Sequence, residues 1–168
     1  PGFKPWQTEV NITAQQDQIL PEITLIAQDG QLSIQSTPSA ASVTIADEYR
    51  GQTPLELGLA PGKTHRLRLT KPGYETTERS VVIEAASDAQ LNLTLQPVLG
   101  IVNLQVTPAG ASLVVDGQAQ ATASSRLELT AVPHIISIEL AGYQSQQIKV
   151  TPQLGLPQQF VVELLTEA

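Results

Sequence analysis

Apolar and polar residues alternate along most of this chain. In "QLSIQS" the alternation puts Leu32 and Ile34 on one face, and in "SVTIA" it does the same for Val43 and Ile45. "HRLRLT" turns Leu67 and Leu69 inward and Arg66 and Arg68 outward. "LNLTLQ" aligns Leu91, Leu93 and Leu95; "IVNLQV" aligns Val102, Leu104 and Val106; "HIISIEL" aligns Ile136, Ile138 and Leu140. Each run predicts a strand with one buried face and one wet face. "SLVVDG" carries Leu113 and Val115 into Asp116-Gly117, a two-residue hairpin signal. No long window repeats apolar residues at helical spacing, and the 12 prolines are scattered throughout. The pattern predicts an all-β protein whose turns recur at sandwich spacing.

The alternation also repeats. With Gly30 laid over Gly100, Leu32 falls on Val102, Ile34 on Leu104, Pro38 on Pro108, Ala41 on Ala111, Val43 on Leu113 and Ile45 on Val115. After a shift of one residue, His65 falls on His134, Leu67 on Ile136, Leu69 on Ile138, Gly73 on Gly142 and Tyr74 on Tyr143. The unit is about 70 residues, near the lower size for independent folding. The first thirty residues match the second half of such a unit. The division expected is 1–29 as the C-terminal half of an upstream repeat, 30–97 as repeat 1 and 98–168 as repeat 2. The expected architecture is a tandem array of small antiparallel β-sandwich modules.

Composition narrows the chemistry. Apolar residues make up 41% and aromatics only 4%, so the core must be aliphatic. The net charge of −7 opposes general nucleic-acid binding, which needs a basic face. Charge is uneven: residues 31–96 hold six Lys/Arg against seven Asp/Glu, and residues 100–168 hold two against five. With no cysteine there is no disulfide, thiol catalysis or thiolate metal site. No apolar run is long enough to span a membrane as a helix, so this segment is not expected to insert. The absence of methionine suggests a segment that starts inside a larger protein.

The repeats resemble the PEGA domain, a short β module of bacterial and archaeal surface and membrane-linked proteins. "TPAGASLVVDG" places Pro108, Gly110, Ala111, Asp116 and Gly117 in the family's pattern. "TPSAASVTIADEYRGQTPLELG" puts Ala40 where the family has Gly, but keeps the following G-x-T-P at Gly51, Thr53 and Pro54. The second repeat loses that piece, reading "AQATASS". The family's Gly-x-His…Gly-Tyr segment appears, one residue longer, as Gly62, His65, Gly73 and Tyr74, and again, without its first Gly, as His134, Gly142 and Tyr143. The resemblance implies a β-sandwich-like fold, extracytoplasmic use and a role as spacer or interaction module. Such modules accompany kinase, protease or formylglycine-generating-enzyme-like domains. It brings no catalytic residues and no cofactor.

Five sets of residues invite a functional reading. The triplets at Gly2-Phe3, Gly73-Tyr74 and Gly142-Tyr143 read as turns whose glycine takes a positive φ and whose ring packs on the sheet end. A sugar-stacking role is the alternative, and Phe3, which drops the hydroxyl, favours packing. His65 and His134 have no second ligand at metal spacing, where about four are needed, and are expected to bond strand-end backbone groups. The acidic residues Asp17, Asp29, Asp47, Glu48, Asp88 and Asp116 lack the converging pattern of a calcium loop. Lys63, Arg66, Arg68 and Lys71 form a local basic patch: either a solvated face paired to Glu75, Glu78 or Glu84, or a docking patch for an acidic partner or anionic glycan. Trp6, with the row Val10, Ile12, Ile23 and Leu25, is expected to be partly exposed in the half unit. That half unit could pair with a second chain at a sheet edge; otherwise the chain is expected to be a monomer.

No nucleophile elbow, phosphate loop or zinc-protease motif occurs, and no enzyme is expected. The leading expectation is a non-catalytic, periplasmic or cell-surface array in a membrane-anchored protein. It would act as a spacer, for instance as a semi-rigid rod, or in contact with a protein partner. Carbohydrate or cell-wall binding through the turn aromatics is the alternative, and regulation of a neighbouring enzyme domain a third.

Overall fold

The computed structural model describes residues 2–11, 19, 22–120 and 125–167. They contain fourteen β-strands and no helix. Contacts divide the chain into two compact units. The first holds the described residues of Pro1–Leu69 and Thr77–Thr94, the second those of Thr70–Thr76 and Leu95–Ala168.

Seven strands follow the leading segment: β1 Gly30–Thr37, β2 Ser42–Ile45, β3 Glu48–Gln52, β4 Leu55–Leu59, β5 Thr64–Thr70, β6 Thr77–Val82 and β7 Asp88–Thr94. They form a three-stranded sheet in the order β4-β1-β7 and a four-stranded sheet in the order β3-β2-β5-β6. Period-2 alternation fixes the faces. Leu32, Ile34, Val43, Ile45, Leu67, Leu69 and Leu93 point inward and are buried, while Arg66, Arg68 and Glu78 point outward.

The second unit repeats this plan with β8 Leu99–Thr107, β9 Ser112–Val115, β10 Gln118–Gln120, β11 Ser125–Thr130, β12 His134–Glu139, β13 Gln146–Val150 and β14 Gln158–Glu163. Its sheets run β11-β8-β14 and β10-β9-β12-β13. Both contribute to one aliphatic core that includes Val102, Leu104, Leu113, Val115, Ile136 and Ile138, with Tyr143 and Phe160 packed at its margin. This is the sandwich expected of two amphipathic sheets.

The expectation of antiparallel modules needs one refinement. Most pairs are antiparallel, but β1 pairs with β7 and β8 with β14 in parallel. A parallel partner cannot be reached by a hairpin, so the intervening strands make the crossover.

Two glycines stand at the head of the central strands because nothing larger fits. A Cβ on Gly30 would lie 2.1 Å from Ile83 Cγ2 and 2.4 Å from the Glu84 carbonyl oxygen. One on Gly100 would lie 2.6 Å from both the Gln153 nitrogen and Pro152 Cβ. A different constraint explains the glycine of the PEGA pattern. Gly110 has φ 95°, and Ala40, its counterpart in the first unit, sits at φ 58°. Alanine pays for that left-handed conformation with a Cβ–carbonyl clash.

Gly100→Ala should therefore destabilise the second unit by about 2 kcal/mol through a clash with backbone that cannot move aside. Loss of amide protection in β8 in hydrogen exchange checks it. Ala40→Gly should act in the opposite sense and stabilise the first unit by about 1 kcal/mol, read as slower exchange in β1 and β2.

Candidate functional site

The small-Gly-aromatic turns have one architecture in three places. Gly2, Gly73 and Gly142 take φ values of 93°, 79° and 82°. The aromatic residue after each forms an isolated antiparallel bridge: Phe3 with Ala27, Tyr74 with Pro97 and Tyr143 with Thr166. Two hydrogen bonds close each bridge. Lys4 N–H donates to the Ile26 carbonyl and Gln28 N–H to that of Gly2, both at 2.8 Å. Glu75 and Val98 donate likewise to Gln96 and Gly73, and Gln144 and Glu167 to Leu165 and Gly142, at 2.8–3.0 Å. The triplet is a clip that fastens the turn to a chain segment about two dozen residues downstream. Tyr74 and Tyr143 are half-buried, and Phe3 is 55% exposed.

The G-x-T-P piece has a physical role as well. Thr53 is 3% exposed, and its hydroxyl accepts the Ala41 N–H at 3.0 Å while hydrogen-bonding the Ser36 hydroxyl. Its backbone also exchanges bonds with this loop: Ala40 N–H donates to the Thr53 carbonyl and Thr53 N–H to that of Ala41. One buried threonine thus ties the end of β1 and the following loop to the β3–β4 link. In the second unit, residues 121–124 of the divergent segment lie outside the described residues.

The two histidines share one contact and differ in another. His65 Nε2 lies 2.8 Å from the Ala60 carbonyl oxygen, as expected for a ring bonded to a strand-end backbone group. His134 Nε2 makes the equivalent contact to the Thr130 carbonyl at 2.9 Å. But His134 is 8% exposed, and its Nδ1 donates to Asp116 Oδ2. Asp116 Oδ1 also accepts the Ile135 N–H at 2.9 Å. The hydroxyl of Thr130 lies 3.2 Å from Nε2. A neutral ring accepts from that hydroxyl; a protonated ring donates to the neighbouring carbonyl, so the pocket satisfies both states. Sequence spacing hid this pair, because Asp116 and His134 are 18 residues apart. The signal that could have revealed it is the contrast between repeats: Ala46 stands at the position of Asp116.

The Ile135 N–H first, then the His134 hydrogen bond and charge, hold Asp116 below its ordinary value of 3.8, against the opposing pull of partial burial. Asp116 and Gly117 form the expected hairpin turn, with φ 49° and 83° joining β9 to β10. Ala46 and Asp47 make the same turn in the first unit. Among the described residues, no three His, Asp or Glu side chains come together to hold a metal ion.

Of the basic patch, Arg66 and Arg68 share the outer face of β5. Arg68 is paired to Glu78 at 2.9 Å and lies 3.9 Å from Asp47. Among the described residues, neither Glu75 nor Glu84 lies within ion-pair distance of Arg66 or Arg68. Arg66 pairs across strands with Ser80 in the β5–β6 register. Lys63 is exposed in the turn before β5. Lys71 is half-buried and falls in the Thr70–Thr76 segment of the second unit. In the leading segment Trp6, Val10, Ile23 and Leu25 are 40–53% exposed, and Ile12 lies outside the described residues, as does Asp17.

The motifs and geometry have a match among known families. The PEGA domain model matches residues 29–99. This stretch is a PEGA domain. A search of curated proteins gives no match for the chain. Among solved structures, the chain is similar to the TIE protein of Bacillus anthracis, with a TM-score of 0.51 and 13% identity, over 84% of this chain and 35% of that one. That likeness concerns the fold alone, and the chain spans about a third of the TIE chain's length. It is also similar to GBS52, the minor pilin of Streptococcus agalactiae, with a TM-score of 0.40 and 10% identity, over 83% of this chain and 97% of that chain. No described helix is long and apolar enough to cross a membrane. Within the PEGA domain, Thr53 and the Gly73-Tyr74 clip account for the family motifs as closures of the fold.

Because Asp116 is held below its ordinary value, its contribution to stability is complete above about pH 4 and is lost as pH falls through its folded value. Asp116→Asn should therefore speed amide exchange in β12 at about pH 6, and the gap to the parent protein should narrow as the pH is lowered below about 4. A gap independent of pH would refute the carboxylate's role.

Proposed function

We propose that this chain is a non-catalytic, extracytoplasmic array of β modules that serves as a spacer or protein–protein interaction segment of a larger protein. In this reading, residues 98–168 are a second PEGA-like module, and residues 1–29 are the C-terminal half of a preceding one. The observation that carries it is the strand-for-strand repetition of the first unit's two sheets in the second. The recurrence of the aromatic clip in the leading segment supports the half module. The PEGA match supports an extracytoplasmic setting, in the periplasm or at the cell surface, with any membrane anchor elsewhere in the protein.

Glycan stacking through the turn aromatics is the weaker reading. Tyr143 packs against the core and Tyr74 is half-buried, so neither ring stands fully open to a sugar.

Two measurements on the full-length protein test the proposal. Alkaline phosphatase fused after Ala168 should be active, because that enzyme matures only after export; an inactive fusion would overturn the extracytoplasmic placement. Replacing residues 30–168 with two unrelated β-sandwich modules should preserve the parent protein's function if the segment is a spacer and abolish it if the segment binds a partner. Turnover of any substrate by the isolated chain would sink both forms.

A further inference from the structure

The first unit carries a surface feature that its fold does not require. On the outer face of its four-stranded sheet, Thr44 pairs with Tyr49, Arg66 with Ser80 and Arg68 with Glu78. Paired residues in a sheet share a face, and the neighbours Val43, Ile45, Leu67 and Leu69 are buried, so these side chains all project outward. A groove of about 410 Å³ lies where this face meets the Ala46-Asp47 turn, lined by Thr44, Asp47, Thr64, Arg66, Arg68 and Ser80 among others. Arg68 is already committed to Glu78 and Asp47. Arg66 has no carboxylate within ion-pair distance among the described residues, so its guanidinium fork faces the groove unclaimed. Tyr49, on β3 at the edge of the same sheet and two strands from Arg66, is 62% exposed.

The second unit provides an internal comparison. Its register puts Val114 opposite Ala119 and Ile135 opposite Lys149 at the positions of Thr44, Tyr49, Arg66 and Ser80. The same scaffold therefore folds with Val114, Ala119, Ile135 and Lys149 there, beside Ser137 and Gln147. The ring and the free guanidinium are specific to the first unit.

We propose that this face binds a carboxylated glycan, a chain containing uronic acid residues. Arg66 takes the sugar carboxylate through its donor fork, in the bidentate geometry that makes such contacts strong. Thr44 and Ser80 exchange hydrogen bonds with ring hydroxyls, and Tyr49 offers an aromatic face to the sugar's C–H surface. Four strands spaced by about 4.8 Å give a platform about 14 Å wide, enough for a few sugar rings. An acidic peptide fits less well. Peptides join sheets mainly at an edge, through main-chain hydrogen bonds. Arg66 stands on β5, whose two sides are already occupied by β2 and β6. Recognition at Arg66 is by its side chain alone. The inference stands whether or not the array is a spacer.

The test is a titration of the purified chain, followed by NMR shifts or calorimetry, with trigalacturonate, its methyl ester and a hexaglutamate peptide. Trigalacturonate should bind saturably, and esterification should weaken it by about tenfold or more. Arg66→Ala should cause a similar loss, with partial rescue by Arg66→Lys, and Tyr49→Ala a loss of about threefold or more. Both residues are exposed, so circular dichroism should show the variants folded. No saturable binding of trigalacturonate, or equal binding by Arg66→Ala, would overturn the proposal. Hexaglutamate binding as tightly, with Tyr49→Ala without effect, would overturn it in favour of an acidic peptide. Failure of the export or module-replacement experiments would leave these outcomes unchanged.

Discussion

Each unit depends on one central strand that must serve two neighbours of opposite direction. β1 pairs antiparallel with β4 and parallel with β7. β8 does the same with β11 and β14. The antiparallel neighbour could have come from a tight hairpin, but the parallel one needs a crossover. The chain uses that crossover to build the opposite sheet, passing through β2 and β3, returning for β4, and passing through β5 and β6 before β7. The two sheets are thus woven together instead of being stacked as separate meanders. The alternating burial of β1 and β8 follows, since a central strand with its inner face to the other sheet must send every second side chain into the core. The close approach at Gly30 and Gly100 is the same constraint at the strand head, where the segment leading into the parallel partner crosses over the backbone.

A woven sandwich leaves its outer faces free to vary. Both units keep the inner Val, Ile and Leu positions, the two-residue turn after β2 or β9, and a histidine bonded to a strand-end carbonyl. They diverge where the fold makes no demand. The second unit adds Asp116 to its histidine and gains a charge-assisted tie between the β9–β10 turn and the start of β12. The first unit has Ala46 there and instead places polar and charged groups over β2, β5 and β6. Thr53 shows the converse: in the first unit a buried hydroxyl secures the loop after β1 at its own desolvation cost, which is repaid only because both hydrogen-bond partners are present.

The inner faces were legible in the sequence because a period of two has one physical meaning. Leu67 and Leu69 against Arg66 and Arg68 could be sorted by parity alone, and the structure buries the first pair and exposes the second. The repeated clip was legible for a similar reason, since a left-handed glycine followed by a ring leaves a short contiguous mark. Long-range pairings left no such mark. The Asp116–His134 contact joins different hairpins, and the two residues become neighbours only once β9 pairs with β12. Likewise, the pairing of Arg68 with Glu78, and not with Glu75 or Glu84, is decided by the β5–β6 register. The parallel direction of β7 was hidden too, because alternation is the same whichever way a strand runs.

The aromatic residues carry this separation of fold from surface one step further. The chain has six, and none is among its buried core residues. A sandwich about 10 Å thick filled by Leu, Ile and Val needs no ring to close it. Phe3, Tyr74 and Tyr143 stand at the three backbone bridges, Phe160 lies against the core margin, and Trp6 belongs to the leading segment. Tyr49 alone projects from a regular strand into solvent without such a task. In a chain so sparing of aromatic residues, a solvent-facing ring on the sheet that also carries Arg66 is a group the fold itself does not use.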